Sequence, residues 1–382
     1  RVDQQTRVAA YERAMAALAA RHPDDAEARI FHALALVATA APTDKSYTKQ
    51  LEAGRVLEEI WARQPDHPGL AHYIIHAYDV PALAPRARAA AERYARIAPS
   101  AAHALHMPSH TFTRVGQWRE SIETNLRSRE AALSTGSMGE ALHATDYAVY
   151  AYLQQRRIDE ATRLRDGLPA IAARFNPNAV TGAAPGAAGV FALAAIPARV
   201  ALEQRDWKAA AALAPAPSGF AWTEAMTWFA RAVGASRLGR AADARSAVDT
   251  LGAITARLRA KGAGYWAEQV AIQQLGARAW LHLSEGRRDS AVAAMREAAD
   301  REERTEKAAV TPGPLAPARE LLGDMLLEIG RPADALAAYR AALRTEPNRY
   351  HSVDGARRAA LATGDRAAAD RYAAQLREIT KT

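Results

Sequence analysis

The chain has no cysteine. Disulfides, thiolate metal sites and cysteine nucleophiles are therefore excluded, and any metal must be held by His, Asp or Glu. Either side of a membrane tolerates a Cys-free chain, so the compartment, periplasmic or cytoplasmic, stays open. Lysine is scarce too: only 6 of the 50 basic residues are Lys. The formal charge of +8 would suit nucleic acid. However, Arg alternates with Asp and Glu, no block of five like charges occurs, and no aromatic residues interleave with basic ones. Nucleic acid is not an expected partner. No Gly-x-Ser-x-Gly or His-Glu-x-x-His string occurs, which removes support for those hydrolase classes. Gly182, Gly186 and Gly189 lack the preceding strand and following Lys of a phosphate loop and read as a flexible loop. No charge falls between Phe175 and Ala198, yet Pro177, Gly182, Pro185, Gly186, Gly189 and Pro197 interrupt the run. A regular spanning helix, and with it membrane insertion, is not expected.

What is present is a 382-residue chain, 49% hydrophobic and 24% charged, the balance of a folded protein. Nearly every stretch is Ala-rich with apolar residues three and four apart, and no alternating strand pattern survives, so the class is all-α. Short breakers at 65–68, 99–100, Gly116, 215–219, Gly239, Gly286, 312–317, Gly330, Pro347 and Gly364 divide the helices into pairs. Longer insertions are expected at 42–48, 134–139 and 176–189. The last is either a loop or a partial boundary. The corresponding division is residues 1–175, a loop or insertion at 176–190, and residues 191–382. Arg1 stands where Met is usual, which suits a chain whose targeting peptide or N-terminal segment has been removed. Residues 1–20 read as a lone helix whose partner is absent, so truncation of the array is expected there.

The clearest pair covers 319–347, with Leu322-Gly323, Gly330, Ala335, Tyr339, Ala342 and Pro347. It resembles the tetratricopeptide (TPR) repeat, a 34-residue helix-turn-helix with Leu-Gly in its first helix, small residues in its second and Pro at its end. Gly364 follows Gly330 by 34 residues and Ala369 stands to it as Ala335 to Gly330. Similar turns occur at Gly116-Gln117-Trp118, Arg156-Arg157, Arg205-Asp206-Trp207, Gly239-Arg240 and Gly286-Arg287, with a weaker match over 82–99. The resemblance spans most of the chain and implies a right-handed superhelix of about eight units whose first helices line the concave face.

Six of the eleven histidines fall between His72 and His143. His72, His76 and Asp79 sit at i, i+4 and i+7, and His103, His106 and His110 at i, i+3 and i+7, so each string makes one helical stripe, with a kink at Pro108. His72 to His106 and His76 to His110 are both 34 residues apart, one repeat period. Measured back from the turns at Ala82 and Gly116, these pairs occupy the same two slots, six and ten residues before the turn, and His103 lies thirteen before Gly116. The same offsets from Arg156 give Tyr150, Asp146 and His143. The resemblance places these slots in the ligand-contacting groove, so His72, His76, His103, His106, His110, His143, Asp146 and Tyr150 are expected to form one patch. Imidazoles on packed helices can converge on a shared zinc, copper, nickel or iron ion, with Asp79 or Asp146 completing or orienting the ligand set.

Two other uses fit the same residues. A metal-free scaffold would recognise a carboxylate-bearing peptide or small molecule through the patch with Arg114 and Arg127. A metal-dependent enzyme would leave a coordination position open, with Asp146 or Tyr150 handling a proton. Arg114, Asp146 and Tyr150 are thus the candidates for contact with a ligand beyond the metal. His22, His67, His282 and His351 are isolated, and His32 is out of register. Trp222, Trp228, Trp266 and Trp280 recur at helical spacing and read as core, with a groove-facing subset able to stack on a ligand.

Overall fold

The computed structural model describes residues 3–216 and 218–381; Arg1 and Pro217, on which parts of the reading above fall, lie outside them. Among the described residues every regular element is a helix. Helices adjacent in sequence pack as antiparallel hairpins: Trp118–Ser134 on Met138–Gln154, Ala221–Arg237 on Ala241–Ala260, Gly264–Ser284 on Arg288–Glu303, Ala318–Glu328 on Pro332–Thr345, and Tyr350–Ala362 on Arg366–Ile379. The first helix, Gln4–Arg21, is capped by Asp3 and packs on Ala26–Thr39 without burying any of its own residues.

The turns explain the punctuation. Gly116, Gly239, Gly286, Gly330 and Gly364 all have φ between 70° and 81°. At each, the next residue's N–H reaches back to a carbonyl five positions earlier, as in Gln117 N to Phe112 O at 2.8 Å and Arg331 N to Leu326 O at 2.8 Å. This is the left-handed helix end that glycine favours because it has no Cβ. Arg156 (φ 59°) and Arg205 (φ 56°) make the same turn without glycine. A further such turn at Gly136 (φ 76°) joins Ser134 to Met138, so the insertion expected at 134–139 is a tight turn instead.

Residues 40–47 form a longer non-helical connection that contains turns, and residues 173–185 another. The helix Gly186–Glu203 runs on through Pro197, contrary to the interruption expected there. Tertiary packing outweighs the one hydrogen bond that Pro197 cannot make. This helix is long and apolar enough to cross a membrane, but 67% of it is buried inside the protein and it carries Arg199 and Glu203 among its buried residues. The core around Trp118 and Tyr150 draws Ile171, Ala192 and Val353 from either side of the 173–185 connection.

The array returns on itself. Trp118 Nε1 donates to Asn348 O at 2.8 Å, and Asn348 Nδ2 donates to Gly116 O at 3.1 Å. Arg349, fully buried, ties Tyr150 and Glu203 to Glu320. Residues 304–317 cross the interior: Lys307 meets Asp79, Tyr147 donates to Thr311 O at 2.9 Å, and Arg199 donates to Pro314 O at 2.8 Å. The groove expected to stand open is therefore partly filled by the chain's own segment.

Candidate metal centre

His72 and His76 project from Pro68–Ala77, a helix begun by Pro68 and capped by His67, whose Nδ1 accepts from Leu70 N at 3.3 Å. His103 and His106 lie on Ala102–His106, His110 on Pro108–Arg114, and His143 on Met138–Gln154. Pro108 separates the two short helices, as its missing N–H requires. The chain stays helical through Met107 (φ −52°, ψ −39°), which keeps the three side chains together.

The six imidazoles form two groups and do not meet at one point. His72, His76 and His103 make the first, His106, His110 and His143 the second, and within each a set of three donor nitrogens lies within 4.8 Å of one another. His72 Nε2 and His76 Nε2 are 3.0 Å apart; His106 Nε2 and His110 Nε2 are 3.1 Å apart. The groups share a wall, with ring centres 5.9 Å apart between His76 and His110 and 6.2 Å between His103 and His106.

Around the second group the hydrogen bonds fix the tautomers. His106 Nδ1 donates to Asn125 Oδ1 at 2.7 Å, and Asn125 is oriented by its own Nδ2 donating to Ser121 O at 2.6 Å. His110 Nδ1 donates to Asp79 Oδ2 at 2.9 Å. A neutral imidazole has one N–H, so both residues spend it at Nδ1 and turn two Nε2 lone pairs toward each other. Lone pairs at 3.1 Å repel unless a cation lies between them. A tetrahedral zinc with Zn–N of about 2.0–2.1 Å sets its nitrogens roughly 3.3 Å apart. The Nδ1 atoms of His103 and His143 are buried with no hydrogen-bond partner among the described residues. Glu140 Oε1 lies 3.8 Å from His103 Nδ1 and is held by the N–H groups of Ala183 and Ala184.

Electrostatics favour the neutral form of all six imidazoles. Burial, and then the neighbouring imidazoles, hold His76, His106 and His143 well below the usual range, and push His72 down to about 4 and His103 down to about 3. Burial also lowers His110, with Asp79 opposing it. For Asp79, burial alone would raise the carboxyl, but Lys307, Arg114 and His110 outweigh it and hold it well below the carboxylate range.

Other expected members sit elsewhere. Asp79 belongs to neither triplet: its oxygens are taken by His110, Arg114 and Lys307, so it stands behind His110. Arg114 is buried and already paired with it, its Nε 2.8 Å from Oδ1, while Arg127 is exposed on another helix. Those two arginines do not form one anion site. Asp146 faces Arg199, whose Nε is 3.4 Å from Oδ1, and burial pushes its carboxyl up to about 6 against the pull of Arg199. Tyr150 accepts from Arg349 at 3.1 Å and donates to Glu346 at 3.3 Å. Asn125, Glu140, Tyr147 and Lys307 were not singled out in the sequence. Tyr147, four residues after His143 and thus on its face of the helix, was the one with a readable signal; its ring lies 4.8 Å from His106 and 5.0 Å from His110.

Beside the centre lies a cavity of about 340 Å³ bordered by Arg114, Lys307, Tyr265 and the stacked pair Trp222 and Trp266, whose rings are 4.1 Å apart. Trp280 borders a separate hollow with Arg237.

The chain matches no protein-family model and no curated protein sequence. Among solved structures it is similar to a monomeric mutant of IFIT1 with m7Gppp-AAAA, at 13% identity over 98% of this chain and 76% of that one, TM-score 0.44. It is also similar to Naa15/Naa10 bound to HypK-THB (12% identity, 88% of this chain and 61% of that one, TM-score 0.22). A third is a circular tandem repeat protein with novel repeat topology (13% identity, 98% and 88%, TM-score 0.26).

Proposed function

We propose that this chain is a helical-repeat protein of the tetratricopeptide type whose interior histidines hold a transition metal. The observation that carries the reading is the pair of Nε2 atoms of His106 and His110, facing each other at 3.1 Å with both Nδ1 protons committed to Asn125 and Asp79. Acceptors aimed at one another in a buried place favour a cation between them. The triplets offer imidazole alone, which suits zinc, copper, nickel or iron and not magnesium or calcium. Asp79 and Asn125 then serve as the outer partners that orient metal-ligating histidines.

In the metal-free alternative Arg114 would act at the wall of the adjoining cavity while paired with Asp79. The adjoining cavity, walled by Arg114, Lys307 and the two stacked tryptophans, leaves room for a small molecule or a peptide end, and a protein or peptide partner remains the other use of such a scaffold. Element analysis of protein purified without a His tag tests the reading. At least one equivalent of a transition metal, or its uptake at neutral pH, is expected. Below about one tenth of an equivalent and no uptake on titration, the reading fails.

A further inference from the structure

The two triplets are copies of one arrangement moved along the chain by one repeat. In the first, a His pair four apart (His72 and His76) is completed by His103 from the following unit. In the second, the equivalent pair 34 residues on (His106 and His110) is completed by His143 from the unit after that. His103 and His143 each lie thirteen residues before their own unit's turn, at Gly116 and Arg156, and both turns have left-handed φ. Each also has a buried Nδ1 without a partner. The series stops there, because the next unit offers Asp146 and Tyr150 in the pair positions and these are engaged with Arg199 and Arg349.

From this repetition, and resting on the metal reading above, we propose that the protein holds two transition-metal ions side by side, one per triplet, as a dinuclear centre bridged by a small anion from solvent such as hydroxide. Three donors leave each ion short of a full shell, so a position stays open on both. The ligands are six neutral imidazoles, which leave the charge of two dications uncompensated. The nearest carboxylates lie outside both triplets: Asp79 is tied to His110, Arg114 and Lys307, and Glu140, its Oε1 held by two backbone N–H groups, stands 3.8 Å from His103 Nδ1. Tyr147, whose ring touches the second triplet, spends its hydroxyl on Thr311 O. An exogenous anion shared between the ions answers both needs, and ions about 3.5–4 Å apart are the usual spacing for one bridging oxygen. Ring centres 5.9 Å apart between His76 and His110 and 6.2 Å apart between His103 and His106 put the triplets side by side, the arrangement a shared anion requires.

The test is titration of the chelator-washed full chain with Cu²⁺ alone, counting bound copper after desalting and integrating its electron paramagnetic resonance signal. Two copper ions per chain with an integrated signal well below two spins are expected, because a bridge couples the ions. H76Q and H143Q should each retain one copper with a full one-spin signal. One copper in the wild type would overturn the dinuclear centre and leave the metal reading standing; none would end both. Two copper ions giving two full spins would mean separate sites and overturn the bridge. The wild-type count and signal decide these outcomes even if a variant does not fold.

Discussion

Lys307 Nζ lies 3.0 Å from Asp79 Oδ2, joining residues 228 positions apart. The same carboxylate oxygen accepts from His110 Nδ1 at 2.9 Å, while Oδ1 accepts from Arg114. A segment from the far half of the chain thus helps to hold His110 of the second triplet. D79N should weaken metal at that triplet by about 10–100-fold, the usual cost of losing an outer partner. Competition with a chromophoric chelator would measure it. Equal weakening at both triplets, or none, would show that Asp79 has no orienting role.

Ligands and bystanders should separate cleanly by substitution. H76A and H110A are each expected to weaken metal by ten-fold or more, since each removes one of three donors. H282A should leave affinity unchanged, because His282 lies at the end of Gly264–Ser284 and in neither triplet. Isothermal titration with Zn²⁺ reads all three, and similar losses in every variant would refute the assignment.

These residues also mark what can be read from sequence. Turn glycines are legible because a left-handed helix end imposes a chemical choice on one position, and Gly116, Gly239, Gly286, Gly330 and Gly364 all obey it. The six histidines are legible because equivalent slots recur with the repeat. Their sorting into two triplets is not, since it depends on how far each helix is rotated about its axis. Residues 304–317 carry no period, and their contacts with Asp79, Tyr147 and Arg199 span more than a hundred positions, so nothing local announces them. Asn125 and Glu140 are hidden for the same reason: ordinary polar residues acquire a role only from the fold.

Glu302, half-buried at the end of Arg288–Glu303, has its carboxyl pushed up to about 8. Burial is the main cause, the backbone N–H of Ala318 opposes it, and Glu346 and Glu303 add to it. Because the folded value lies above the ordinary 4.5, the folded state keeps a proton that the unfolded chain has released. Its contribution to stability is therefore complete below the ordinary value, falls as pH rises toward 8, and stays lost above that. Allowing for its solvent contact, the loss is about 1–3 kcal/mol. E302Q should be more stable than wild type at pH 8–9 and nearly equal at pH 4–5, read as the difference in urea midpoints. A difference that does not change with pH would rule this out.

Tyr339 is clamped between two glycines of neighbouring helices. A Cβ at Gly323 would stand 2.7 Å from its Cε1, and one at Gly355 would overlap the ring; the hydroxyl donates to Asp324 Oδ1 at 2.7 Å. Helix propensity alone favours Ala over Gly by about 0.8–1 kcal/mol. Overpacking a filled core costs about 1–3 kcal/mol, and here the obstacle is a fully buried ring anchored at its far end. The steric cost should win, so G323A and G355A are each expected to lower the urea midpoint. Y339L would lose the hydrogen bond to Asp324 on its own account, but it removes the ring edge. Either alanine should therefore be better tolerated in the Y339L background, with a coupling of about 1 kcal/mol or more in a double-mutant cycle. Stabilisation by the single alanines would mean that the helices have room to separate and that Gly323 is not there for the close approach of Tyr339.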